Sequence, residues 1–222
     1  MSAGPPESGP RIASVNTARA RLLTVNNAPR KTGIFKQPVA GRVELRDDAV
    51  AGDKVVDTAV HGGYDKAVYA YAAEDYAWWA QQLGRELSPG WFGENLTTVG
   101  VAIADAAIGE RWRVGTALLE VSEPRQPCST LGAKLGDQRF VKVFARSLRL
   151  GTYLRIIEPG DVGAGDPIEL VERPDHDVTI GLLSRVLFED RSLGPRILAA
   201  DKLTDAWRAR GEKLAARAGA RS

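Results

Sequence analysis

The residue best equipped for chemistry is the single cysteine, Cys128, in Pro124-Arg125-Gln126-Pro127-Cys128. The flanking prolines restrict the backbone, so the thiol is held rather than loose. Arg125 supplies nearby positive charge, which favours the thiolate, the form that ligates metals and attacks electrophiles. A lone cysteine is equally at home as a small buried apolar side chain. A second segment is His61-Gly62-Gly63-Tyr64-Asp65-Lys66. Its two glycines let backbone N–H groups approach an anion closely, and His61, Asp65 and Lys66 add donors and an acid or base. The same residues also suit a hairpin turn with a surface Asp–Lys pair. In Trp91-Phe92-Gly93-Glu94-Asn95-Leu96, the Asn95 amide matches the edge of a heterocycle, or the segment is a structural turn. Lys31-Thr32-Gly33-Ile34-Phe35-Lys36 is basic and carries a glycine, but it lacks P-loop spacing.

Other chemistries are excluded by count. One cysteine forms no intrachain disulfide and cannot hold an iron–sulfur cluster alone. Two histidines are too few for a His-rich zinc site. The chain has no Ser-His-Asp pattern, and the glycine-rich run at 160–165 lies between strand candidates rather than before a helix. Thirty Lys+Arg against 28 Asp+Glu give a net charge of +2, which argues against general disorder and against a strongly steered nucleic-acid binder. No apolar run approaches the roughly 18 residues that cross a bilayer. The opening MSAGPPESGPR has neither a basic nor an apolar signal region. A cytoplasmic protein without nucleic-acid or membrane partners is expected.

These residues need a framework, and 222 residues with 44% hydrophobic content suffice for one sizeable core. Residues 1–18, rich in Pro, Gly, Ser and Ala, read as a flexible tail. Short strand candidates follow at 21–26, 41–45, 68–71, 96–99, 111–114, 117–122, 153–157 and 168–172. Gly-Asp or Gly-Glu turns precede several of them. Many short strands with regular turns suggest a barrel or sandwich. Two helices interrupt it. One spans 74–83, with Tyr76, Trp79 and Leu83 on one face. The other spans 137–148, with Phe140, Val141, Phe144 and Leu148 in phase and Asp137 as N-cap. After Pro174 strand signals stop, and helices are expected at 178–188, 194–200 and 204–218, the last capped by Thr204. Residues 177–222 hold nine Lys/Arg against six Asp/Glu, which fits a solvated basic face better than a dedicated nucleic-acid or membrane helix. The expected organisation is a tail (1–18), a β domain (19–174) and a three-helix extension (175–222).

In series, the segments resemble the MOSC domain family, the molybdenum cofactor sulfurase C-terminal type, and within it the YiiM-like subgroup. The pieces are Lys31-Thr32-Gly33-Ile34, Ala51-Gly52-Asp53, Val60-His61-Gly62-Gly63-Tyr64-Asp65-Lys66-Ala67-Val68, Phe92-Gly93-Glu94-Asn95-Leu96, Gln126-Pro127-Cys128 and Gly160-Asp161-Val162 leading to Gly165-Asp166. They keep their order across roughly residues 20–218. The resemblance implies a mainly β fold, a closed and mostly antiparallel β-barrel with flanking helices and a small helical extension. It implies a pterin-based molybdenum cofactor (molybdopterin) with Cys128 as the metal ligand. Lys31, Lys66 and Arg125 then face its phosphate, while His61, Gly62, Gly63, Gly93 and Asn95 lie against the cofactor. Asp65 orients it or relays protons as a catalytic residue. Tyr64 stands where the family usually has Pro, and Ser129-Thr130 where an aromatic and a Lys are frequent, which bears on substrate range. The implied activity is reduction of N-hydroxylated compounds such as N-hydroxylated purines and amidoximes. Two electrons and two protons convert R–N–OH to R–N–H and water, the electrons coming from an external flavoprotein or ferredoxin-type partner. The alternatives are a sulfur or cofactor carrier with a persulfide on Cys128, and a barrel used for protein interaction. A homodimer is compatible with all three.

Overall fold

The computed structural model describes residues 9–56 and 62–220. Its central strand, Ala117–Pro124, is eight residues long and buried along its whole length. This strand, β10, lies third in an eight-stranded sheet of order β13-β9-β10-β11-β7-β8-β1-β4. The strands are β1 (Arg11–Thr17), β4 (Gln37–Pro38), β7 (Val68–Ala72), β8 (Leu96–Val99), β9 (Arg111–Val114), β11 (Thr152–Glu158) and β13 (Ile168–Glu172). A three-stranded sheet joins β12 (Gly160–Gly163), β5 (Arg42–Arg46) and β6 (Ala49–Val50), and β2 (Arg21–Val25) pairs with β3 (Ala28–Thr32) as a hairpin.

The expected barrel does not close, and the sheet, mostly antiparallel as expected, is mixed through one parallel pair. β7 and β8 run parallel. A parallel pair cannot be joined by a tight turn, and helix α1 (Ala73–Leu83) makes the crossover. The sheet ends approach without forming a ladder. Ile12 N donates to Asp166 O at 2.9 Å, Gly165 N to Ile12 O at 2.8 Å and Ile168 N to Pro10 O at 2.9 Å, and the pairing amounts to the isolated bridge Arg11–Pro167. Pro10 and Pro167 have no N–H to continue the pairing. The tail also ends sooner than expected, because residues 11–17 form β1. Its polar Ser14 and Asn16 are buried through mutual pairing: Ser14 Oγ donates to Asn16 Oδ1 at 2.8 Å and Asn16 Nδ2 to Thr97 Oγ1 at 3.0 Å.

Helix α2 (Ser129–Leu135) directly follows Cys128 in a stretch the sequence leaves without an element. Helix α3 (Phe140–Ser147) starts three residues after Asp137. The Asp137 carboxylate accepts from Arg139 N at 2.9 Å, bracing the approach rather than capping the helix. The C-terminal elements are α4 (Ile180–Phe188), a 3-10 stretch (Arg191–Ala199) and α5 (Asp205–Gly219). Thr204 caps α5 as expected, its hydroxyl accepting from Trp207 N at 3.4 Å. Among the described residues no helix is long and apolar enough to cross a membrane.

Side-chain alternation on β7 divides the interior. Val68, Ala70 and Ala72 face a large aliphatic core, which also takes Val178, Leu183, Val186, Ile197 and Trp207 from the C-terminal elements. Tyr69 and Tyr71 face the other way, into an aromatic cluster with Tyr76, Trp79, Phe92, Phe140, Phe144 and Tyr153. Trp79 sits at its centre, stacked on Phe144 at 5.6 Å and edge-on to Phe140 at 5.1 Å. Cys128 packs against this aromatic cluster.

Candidate functional site

The strand ends and loops around the aromatic cluster enclose a cleft of about 310 Å³. β10 delivers Arg125 and Cys128 just beyond its last residue, β11 delivers Tyr153, and β7 delivers Tyr69. The β3 end and following loop bring Arg30, Lys31, Gly33, Ile34 and Lys36, and a 3-10 turn (Tyr64–Lys66) brings Lys66. Two glycines permit this approach. A Cβ on Gly33 would lie 2.0 Å from Lys54 O, and Gly93 has φ +84 with Ile34 Cγ1 3.1 Å from its absent Cβ.

Among the described residues six basic side chains line the cleft (Arg30, Lys31, Lys36, Lys54, Lys66 and Arg125), and no carboxylate does. The counter-charges sit behind them. Lys36 pairs with the buried Asp53, and Lys66 Nζ lies 3.3 Å from Glu123. Among the described residues Arg30, Lys31 and Lys54 form no ion pair, so the cleft mouth is electropositive.

At the inner end, Arg125 is 4% exposed. Its Nη2 lies 3.7 Å from Cys128 Sγ, and its guanidinium lies 5.3 Å from the Tyr69 ring centre and 5.6 Å from that of Phe144. Nη1 is buried with no hydrogen-bond partner among the described residues. An unpaired buried donor of this kind carries a penalty unless something else accepts from it. Burial pushes the Tyr153 hydroxyl up to about 12, against the pull of Arg125, so it keeps its proton at neutral pH.

The sequence-predicted residues divide. Cys128, Arg125, Lys31, Lys66, Gly93 and Asn95 converge on the cleft. Asn95 nevertheless spends its amide on the framework. Its Oδ1 accepts from Tyr69 N at 3.2 Å, and its Nδ2 donates to Asp53 Oδ2 at 3.0 Å and Asn16 O at 3.4 Å. Asp65 is not among the lining residues. It accepts from Arg155 Nε at 2.7 Å, and Arg155 also donates to Glu120 Oε1 at 2.7 Å and Lys202 O at 3.0 Å. That buried arginine draws the Asp65 carboxylate away from the cleft. Gly62 and Gly63 do not line it either, and His61 falls outside the described residues. Sequence reasoning missed Tyr69, Tyr153, Arg30, Lys36 and Lys54 as lining residues. The alternation of the 68–71 strand is the signal that would have separated Tyr69 from Val68 and Ala70.

Also missed is Lys134, on the unforeseen α2. Its ammonium donates to the carbonyls of Ile34 at 3.0 Å, Gly90 at 3.4 Å and Trp91. Burial pulls its pKa down to about 7. The unfolded chain therefore holds this proton at pH values where the folded chain has released it. The burial penalty is full below about pH 7 and fades towards the ordinary lysine value, so this group makes stability rise with pH through that window. Urea midpoints at about pH 6, 8 and 10 should show the natural chain gaining on Lys134→Met as pH rises. A gap that does not change with pH would give the folded ammonium its ordinary pKa.

A MOSC domain model matches residues 57–169. The chain belongs to the MOSC domain family. The match takes in Lys66, Gly93, Asn95, Arg125, Cys128 and Tyr153, while the β3 cations precede it. YflK of Bacillus subtilis (strain 168) is 35% identical over 201 residues, covering 89% of this chain and 91% of that protein. A protein of Gibberella moniliformis named Reductase is 35% identical over 147 residues, 64% of this chain and 26% of its own length. The crystal structure of YiiM from Geobacillus stearothermophilus superimposes with a TM-score of 0.76 at 29% identity, covering 92% of this chain and 98% of that one. This MOSC protein is accordingly of the YiiM-like kind, with its mixed sheet and C-terminal helices.

Proposed function

We propose that this MOSC protein holds a molybdenum–pterin cofactor in the cleft and reduces N-hydroxylated small molecules, with electrons from an external flavoprotein or ferredoxin-type protein. The observation that carries the reading is the Cys128 sulfur beside a buried Arg125 with an unsatisfied Nη1, at the inner end of a cleft whose charged lining among the described residues is all cationic. The donor set fits such a group. Among the described residues no cluster of three or more His, Cys, Asp or Glu side chains could cage a metal ion. A metal at Cys128 would take its remaining ligands from a cofactor that brings its own sulfurs, and a thiolate suits a metal of that softness. Arg30, Lys31 and Lys54, at the electropositive mouth, would hold the cofactor's phosphate. When bound, the cofactor supplies a two-electron centre for N–O cleavage.

The protein's own groups account for the rest. Cys128 would anchor the metal, and Arg125 places positive charge against its sulfur. The Tyr153 hydroxyl, protonated and in the cleft, is placed to hold a proton at the departing oxygen as R–N–OH, two electrons and two protons give R–N–H and water. A relative named Reductase supports the reaction class. The test is purification from a molybdopterin-competent host, metal and pterin analysis, and viologen-driven reduction of an amidoxime and a hydroxylaminopurine. Stoichiometric molybdenum with turnover is expected. Cyanide-labile sulfur without molybdenum would instead make the protein a carrier.

The same assay separates Asp65 from Tyr153. Because Asp65 is committed to Arg155, Asp65→Asn should change turnover by no more than about threefold. Tyr153→Phe should lower it roughly a hundredfold, the usual range for a lost proton donor. The reverse order would restore Asp65 as the proton relay.

A further inference from the structure

The chemistry left open by the site is the Arg125 Nη1, unpaired among the described residues. A guanidinium has five N–H donors and is never deprotonated, so the group is a permanent donor. One of its nitrogens faces Cys128 Sγ at 3.7 Å, while its faces are covered by Tyr69 and Phe144. The residue is 4% exposed and lines the cleft. Among the described residues no carboxylate lines that cleft. The Tyr153 hydroxyl is the neighbouring neutral group that interacts with this guanidinium, Nη1 itself meets no acceptor among the described residues, and a buried cation favours an anionic oxygen brought by a molecule in the cleft.

We infer that Arg125 is a specificity residue that binds an anionic oxygen of the substrate immediately beside the Cys128 sulfur. The class selected is N-hydroxylated compounds with an adjacent carboxylate or ionised N–O oxygen, such as hydroxamates, in preference to neutral amidoximes or cationic N-hydroxyguanidines. The substrate side of this inference rests on the reductase reading. The anion site itself does not, and it can be tested on protein that holds no cofactor. The cofactor phosphate is the other source of an anionic oxygen. It is matched instead by Arg30, Lys31 and Lys54, which have no ion-pair partners among the described residues.

Alkylation of Cys128 provides the probe. Iodoacetate and iodoacetamide react alike, the thiolate displacing iodide to leave S–CH₂–COO⁻ or S–CH₂–CONH₂, but only iodoacetate carries an anion. A thiol without a neighbouring cation reacts at least as fast with the neutral reagent. With the full chain made in a host lacking molybdopterin, iodoacetate should be faster by about tenfold, the scale of one charge-assisted hydrogen bond. Inorganic sulfate should protect Cys128 saturably. Arg125→Gln should bring the ratio to one or below, while Lys31→Gln with Lys54→Gln should leave it high. If Arg125→Gln does not fold, Arg125→Lys, which retains a charge, should lower the ratio and weaken sulfate protection. In protein from a competent host, Arg125→Lys should keep its pterin content and raise KM for a hydroxamate more than for a neutral amidoxime. Equal alkylation rates in the natural chain would overturn the inference. So would a ratio that follows the lysines, or pterin lost with Arg125. Absence of molybdenum from the natural protein, with the alkylation preference intact, would overturn the reductase reading and leave the anion site standing.

Discussion

Cys128→Ser should abolish N-hydroxy reduction and strip the protein of most of its molybdenum. The loss is expected to exceed about a thousandfold, because the substitution removes the metal ligand itself rather than a group that adjusts it. Serine offers a hard oxygen whose proton is held far more tightly than a thiol's, so the anionic ligand is not available at neutral pH. Arg125, whose Nη2 faces the sulfur at 3.7 Å, would lose that neighbour and keep its unsatisfied Nη1. The fold should survive, since Cys128 is only half-buried and α2 follows without a side-chain cap from this residue. Elemental analysis, dye-coupled turnover and a thermal unfolding curve check the three parts together. Natural rates in the serine variant would remove Cys128 from the metal site.

The largest effect on stability is expected from Asp53→Ala. Asp53 and Lys36 form an ion pair whose side chains are 3% and 7% exposed. Asp53 also accepts from Ala18 N at 2.8 Å and from Asn95 Nδ2 at 3.0 Å, so one carboxylate ties the β3 exit loop, the end of β1 and the 92–95 turn together. Burial pulls the Lys36 pKa down, and Asp53 is the leading opposing influence. Its removal leaves a buried ammonium and two buried N–H donors without an acceptor. A broken buried pair costs about 3–5 kcal/mol. Urea unfolding of Asp53→Ala should show a loss of that order, and the double change Asp53→Leu with Lys36→Met should recover most of it. A loss below about 1 kcal/mol would mean that water already reaches the pair.

What the sequence determined by itself is what local physics encodes. The 3.6-residue spacing of Tyr76, Trp79 and Leu83 specifies α1, and Thr204 caps α5 because its hydroxyl is in reach of a backbone N–H three residues on. The ordered series of short motifs, with its proline-held cysteine, was enough to specify the family. Tertiary structure decided which of the chemically able residues share a site. Asp65 and Lys66 are neighbours in the chain, yet Arg155, ninety residues away, holds the first. Only the second lines the cleft. Tyr69 and Tyr153 come from strands that alternate between two cores, so their facing depends on which side of the sheet is packed by aromatics. The mixed sheet itself turns on the parallel β7–β8 pairing across α1, and the burial of Ser14 and Asn16 on their reaching each other and Thr97. Charge and hydrogen-bond partners carry no local period, because a buried polar group is satisfied by whatever the fold brings within about 3 Å of it. The open donor of Arg125 exists only once the chain has folded around it.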